Sequence, residues 1–122
     1  MIRSTATFGF ALAMTMALSG TASAHAHLTV ADPADKSVIA TSPTEIDLTF
    51  SEALNLKFSG ATLVASDKSE VKLGEPMLME GNKMMMMPVA ETLEAGTYTV
   101  EWHVLSADGH KTKGNYSFTL KP

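Results

Sequence analysis

Residues 97–105 read TYTVEWHVL, and the side chains alternate without a break. Tyr98, Val100, Trp102 and Val104 share one face; Thr97, Thr99, Glu101 and His103 share the other. A period of two marks a half-buried strand and is incompatible with an amphipathic helix over the same residues. The pattern recurs in EIDLTF (45–50), with Ile46, Leu48 and Phe50 on one face, and in NYSFTL (115–120), with Tyr116, Phe118 and Leu120. ATLVA (61–65), EVKL (70–73) and MMMMP (84–88) read as shorter strands. The turn formers DPAD (32–35), SPT (42–44), SG (59–60), EGN (80–82), EAG (94–96) and ADG (107–109) separate them. No stretch carries a convincing helix. The expectation is all-β: an immunoglobulin-like β-sandwich of about seven strands around one Trp. In LEAGTY (93–98) a Tyr follows a turn at a strand start, as in a tyrosine corner. Disorder is expected at the cut N-terminus and around Lys68 to Asn82.

The first residues do not belong to that sandwich. Arg3 is the only charge before Asp32, FGFALAMTMAL (8–18) is apolar, and SGTASA (19–24) is small and polar. A basic start, a short apolar core and an A-x-A ending predict a secretory signal over residues 1–24. The apolar run is shorter than the roughly 20 residues that span a bilayer. Cleavage after Ala24 makes His25 the new N-terminus; cleavage after Ala26 would expose His27 instead. The first is favoured, because a histidine beside the scissile bond is atypical. Residues 25–122 then form one domain. The chain has no cysteine and a net charge of −4, which falls to −5 once Arg3 is removed. Nucleic acid wants a basic face, so it is not an expected partner, and metal ligands must come from His, Asp, Glu or Met.

Two of the chain's four histidines sit at the cut, in HAHL (25–28). The free amine and the ring of His25 can chelate one metal, and an N/O set of this kind suits tetragonal Cu(II). His27 offers another mode, because an X-X-His start can wrap Cu(II) with its amine, two backbone amides and the third-residue imidazole. It can equally begin the first strand. SADGHKTKG (106–114) holds Asp108 and His110 two apart, able to add a carboxylate and an imidazole; the plainer reading is an Asp-Gly hairpin turn beside a solvated His. Beyond the signal the methionines are Met77, Met79 and Met84 to Met87. Thioethers suit Cu(I) and also fill cores. In a strand only alternate members share a face, and the inward face reads as core. His103 reads as a sheet-surface residue. Glu52, just past a strand end, is either a solvated turn residue or a partner that orients a ligand imidazole. No nucleophile elbow, phosphate loop or H-E-x-x-H occurs, so no enzyme is expected.

HAHL, DPAD, LTFSEAL, FSGATLV, LEAGTYTVEWHVLSADGH and KGNYSF, in that order across nearly the whole mature chain, resemble the CopC-type periplasmic copper-resistance proteins. The resemblance implies a Greek-key β-sandwich holding one Cu(II) where the N-terminus meets a late loop. It implies that His25 supplies amine and ring nitrogen, Asp108 a carboxylate oxygen and His110 an imidazole. Copper storage, delivery or resistance in the periplasm follows as the expected role. The expected form is a monomer that exchanges copper with an inner-membrane copper transporter or another periplasmic copper protein. Some members also carry a methionine-rich Cu(I) site, but the usual spaced cluster is not evident between ATLVA and MMMMP here.

Two other classes use the same features. A copper-dependent oxidative enzyme would also pair an N-terminal His with a second His, but Asp108 would then fill an equatorial position. A metal-free immunoglobulin-like interaction module would be indifferent to copper and would expose an apolar patch.

Overall fold

The computed structural model describes residues 26–122; the expected signal segment and His25 lie outside the described residues. The strands are β1 (Leu28–Asp32), β2 (Val38–Ile39), β3 (Glu45–Phe50), β4 (Gly60–Ala65), β5 (Glu70–Val71), β6 (Met77–Met79), β7 (Met84–Pro88), β8 (Gly96–Leu105) and β9 (Lys111–Leu120). A single 3-10 turn, Leu56–Phe58, precedes β4. One sheet has the order β1-β3-β7-β6 and the other β2-β9-β8-β4-β5. Pairing is antiparallel except between β2 and β9.

Among the described residues nine strands form where about seven are expected. The two not expected are β2, a two-residue piece too short for an alternation to show in sequence, and β6, whereas β5 falls at the start of EVKL, which reads as a strand. The segment around Lys68 to Asn82, where disorder is expected beside the EVKL strand, also contains β6, and Leu73 bridges to Val89. β9 begins at Lys111, four residues earlier than its apolar alternation, because β8 pairs with it residue for residue to Leu105↔Lys111. Gly114 makes this possible opposite Trp102. A β-carbon there would stand 2.5 Å from Trp102 Cζ2, so the indole lies where a side chain would otherwise go.

The alternating faces meet between the sheets. Ile46, Leu48 and Phe50 of β3, Val100 and Val104 of β8, and Phe118 and Leu120 of β9 are buried. Met85 and Met87 of β7 are 0% and 1% exposed, so the inward methionines are core. Trp102 packs edge-on against Phe50, ring centroids 5.1 Å apart. The expected tyrosine corner is present: the Tyr98 hydroxyl donates to the Glu94 carbonyl at 2.6 Å.

Candidate metal centre

The long β8–β9 hairpin places the late Asp and His at its tip. Past the last strand pair, the Ser106 amide donates to the His110 carbonyl at 2.8 Å, and the Gly109 amide donates to the Ser106 carbonyl at 2.9 Å. Gly109 has φ +96°. This is a three-residue hairpin loop, a tight turn closed by one residue in left-handed conformation, and glycine takes that conformation without a β-carbon penalty. Asp108 and His110 therefore project from a closed turn and not from a wandering loop.

Ser106 organises the turn from beneath. It is 1% exposed. Its hydroxyl donates to Asp108 Oδ1 and accepts the His110 amide at 3.2 Å. His110 Nδ1 stands 3.2 Å from the same Asp108 oxygen, and the two side chains are 48% and 47% exposed. The Ser106 hydroxyl, and after it the His110 ring, hold the Asp108 carboxyl below the usual carboxylate range. Asp108 is thus an anionic oxygen donor well into acid. An anionic carboxylate only accepts, so this contact is a hydrogen bond when Nδ1 carries a proton.

The beginning of the described chain is fastened to the same end of the sandwich. Ala26 is 1% exposed, and its carbonyl accepts the hydroxyl of Thr112, two residues beyond His110, at 3.0 Å. The His27 amide donates to Ser51 Oγ at 2.9 Å, and its carbonyl accepts the Ser51 amide at 2.9 Å. The FSEAL segment that follows β3 braces both pieces. Ser51 holds His27, the Ala53 carbonyl accepts the Ala107 amide at 2.8 Å, and Leu54 bridges to Ser106. Glu52 is exposed between those two anchor points.

Asp108 and His110 come together, and His27 does not join them. Among the described residues, no three His, Asp or Glu side chains gather as a metal-holding group. His25, the remaining expected ligand, lies outside the described residues. His103 is exposed on β8, opposite Gly60 and Lys113, as expected of a surface histidine. With Lys57, Lys111 and Lys113 it lines a cavity of about 570 Å³ on the outer face of its sheet. Residue type alone does not mark Ser106, Thr112, Ser51 and Ala53, which hold the pieces together and are not expected ligands. Ser-x-Asp ahead of a Gly is the one local signal, since a hydroxyl and a carboxylate in that spacing favour turns. Among the described residues no helix is long and apolar enough to cross a membrane.

The CopC domain family model matches residues 28–121. Protein YobA of Escherichia coli K12 is 43% identical over 99 residues, covering 80% of each chain. Copper resistance protein C of Escherichia coli is 38% identical over 108 residues, covering 83% of this chain and 85% of that one. The crystal structure of CopC from Methylosinus trichosporium OB3b superposes with a TM-score of 0.75 at 28% identity, covering 80% of this chain and 95% of the other.

Proposed function

This chain belongs to the CopC family, and on that premise we propose that it is a periplasmic Cu(II)-binding protein serving copper storage, delivery or resistance. Copper is its cargo and is not there for catalysis. The observation that carries the reading is the double fastening at one end of the sandwich. Ser106 fixes Asp108 and the His110 backbone, while Thr112, on the same strand as that turn, holds the Ala26 carbonyl. His25 is one peptide bond from Ala26, about 3.8 Å between α-carbons. Its amine and ring nitrogen then supply the two donors that Asp108 and His110 lack. One amine nitrogen, two imidazole nitrogens and a carboxylate oxygen make the N/O set that Cu(II) prefers.

The local X-X-His mode is disfavoured in the folded chain. It needs the deprotonated amides of Ala26 and His27, and the His27 amide is already donated to Ser51. His27 stands directly before β1. The copper is exchanged with an inner-membrane transporter or another periplasmic copper protein.

The test is a Cu(II) competition titration of mature protein with a free His25 amine, beside a form carrying one extra N-terminal residue, with paramagnetic resonance spectra of both. The extra residue is expected to weaken binding sharply and to change the spectrum. Equal affinity would remove the amine from the site. Binding should also weaken in acid, where protons compete with copper for imidazole and amine nitrogens.

A further inference from the structure

The outer face of the β2-β9-β8-β4-β5 sheet is charged unevenly. Away from the hairpin tip its outward positions are neutral, Thr97 and Thr99 on β8 and Ser117 and Thr119 on β9. Toward the Asp108–His110 turn they become His103, Lys111 and Lys113, with His103 directly opposite Lys113. Strand geometry sets Lys111 and Lys113 about 7 Å apart on that face. The Leu56–Phe58 turn walls this corner. It is tied to β8 by the Asn55 amide, which donates to the Leu105 carbonyl at 2.8 Å, and by the Leu105 amide, which donates to Ser59 Oγ at 3.0 Å. The turn adds Lys57 and Phe58, with the Lys57 ammonium 5.7 Å from the Phe58 ring centroid. Three of the chain's eight lysines and one of its four histidines thus line one cavity.

The chain carries a net charge of −4, yet among the described residues Lys57, Lys111 and Lys113 form no salt bridge. The next outward position along β8 is Glu101, whose carboxylate accepts the Thr62 hydroxyl at 3.5 Å. Like charges set close together on a sheet oppose folding, so stability does not explain the grouping. Lysines also blunt open sheet edges, and β2 covers β9 only at Thr119 and Leu120. That accounts for Lys111 and Lys113, but not for Lys57, which is not on that edge, nor for Phe58. Phe58 is 53% exposed and Leu56 37%, and no residue of their turn is buried. An exposed aromatic ring among unpaired ammonium groups matches a partner that sets carboxylates around an apolar side chain. Aromatic anchors carry binding energy at interfaces, and complementary charge steers encounter and fixes register. A small anion would use the lysines and leave Phe58 and Leu56 unexplained.

We propose that Lys57, Phe58, His103, Lys111 and Lys113 form a docking surface for an acidic segment of a partner protein, one in which carboxylates flank an apolar side chain. Lys111 directly follows His110, and Thr112 both lines the cavity and holds the Ala26 carbonyl, so a partner seated here borders the proposed copper centre. Its use in passing copper rests on the copper reading above; the docking itself does not.

The test is amide NMR of the metal-free mature protein, titrated with a synthetic peptide in which glutamates flank a pair of leucines, and with the same peptide carrying glutamine for glutamate. Saturable shifts are expected at the five named residues, weakened by added salt, which screens exposed charges, and lost with the glutamine peptide. Lys111→Glu/Lys113→Glu is expected to lose at least tenfold in peptide affinity, and Phe58→Ser severalfold. Lys83→Glu/Lys121→Glu, which makes the same change of net charge elsewhere, is expected to keep wild-type affinity. No shifts at the five residues, equal loss in both lysine variants, or equal binding of the glutamine peptide would overturn the surface. So would citrate producing the same saturable shifts, which would mark a small-anion site. The shift map needs only the wild-type chain, so a variant that misfolds does not blunt the test. Copper is absent throughout, so failure here leaves the Cu(II) titration standing, and failure of that titration leaves this surface standing.

Discussion

Ser106→Ala separates a residue that shapes the Asp108–His110 turn from one that merely fills the sandwich. Alanine keeps the β-carbon of a residue that is 1% exposed and deletes the hydroxyl that meets Asp108 and accepts the His110 amide. A buried donor left unsatisfied costs about 1–3 kcal/mol, and the His110 amide is only partly buried, so the lower half of that range applies. For a domain of this size each kcal/mol moves Tm by roughly 4–8 °C, giving an expected fall of about 5–15 °C in the metal-free protein. Loss of a group that orients a ligand typically weakens metal binding by about 10–100-fold, which is the drop expected in a Cu(II) competition titration. The Asp108 carboxyl loses the chief cause of its low pKa. A depressed folded pKa adds stability above the ordinary carboxylate value and loses it as pH falls through the folded value, so the Tm gap should narrow below about pH 4. Ser59 supplies the control. It is 8% exposed, donates to the Asn55 carbonyl at 2.8 Å and accepts the Leu105 amide at 3.0 Å, and it makes no contact with Asp108. Ser59→Ala should lower Tm similarly and leave Cu(II) affinity within about twofold, well short of the loss of a ligand-orienting group. If both variants lose stability alike and bind copper alike, the Ser106 turn does not hold the metal and the reasoning fails.

Two further outcomes follow from the packing. Burial, and then Glu45, push the Asp47 carboxyl up to about 6. A raised folded pKa means stability that is full below the ordinary carboxylate value and lost as pH rises through about 6. Asp47→Asn should therefore raise Tm at pH 7 and give little gain at pH 4; an equal gain at both would show that charge is not the cause. Gly114→Ala drives a methyl into Trp102 and should cost about 1–3 kcal/mol, as overpacking does; unfolding in denaturant with an unaltered midpoint would show that the indole moves aside freely.

The fold was legible wherever burial is one-sided, because that is where physics writes a period of two into the chain. β3, β8 and the second half of β9 announce themselves through Ile46, Val100 and Phe118 and their like. The first half of β9 does not. Lys111 to Gly114 pair with β8 because Leu105, Val104 and Trp102 extend that far, and nothing in KTKG records its partner. β6 was hidden for a different reason. In MLM every residue is apolar, so no alternation distinguishes the inward Leu78 from the outward Met77 and Met79, and only the register against β7 separates them. The candidate centre divides along the same line. Asp108 and His110 were legible as donor types in a turn, since metal chemistry restricts which side chains can serve. Ser106, Thr112 and Ser51 were not, because a hydroxyl acquires such a role only from what long-range pairing sets beside it. Residues 27 and 51 are joined by two hydrogen bonds across 24 positions, and the Thr112 hydroxyl reaches Ala26 across 86. A site assembled from the two ends of a chain is thus visible in sequence as donors and invisible as geometry. That is why perturbing the holders Ser106 and Thr112, and not only the donors, distinguishes a built copper site from histidines that happen to lie at a cleavage point.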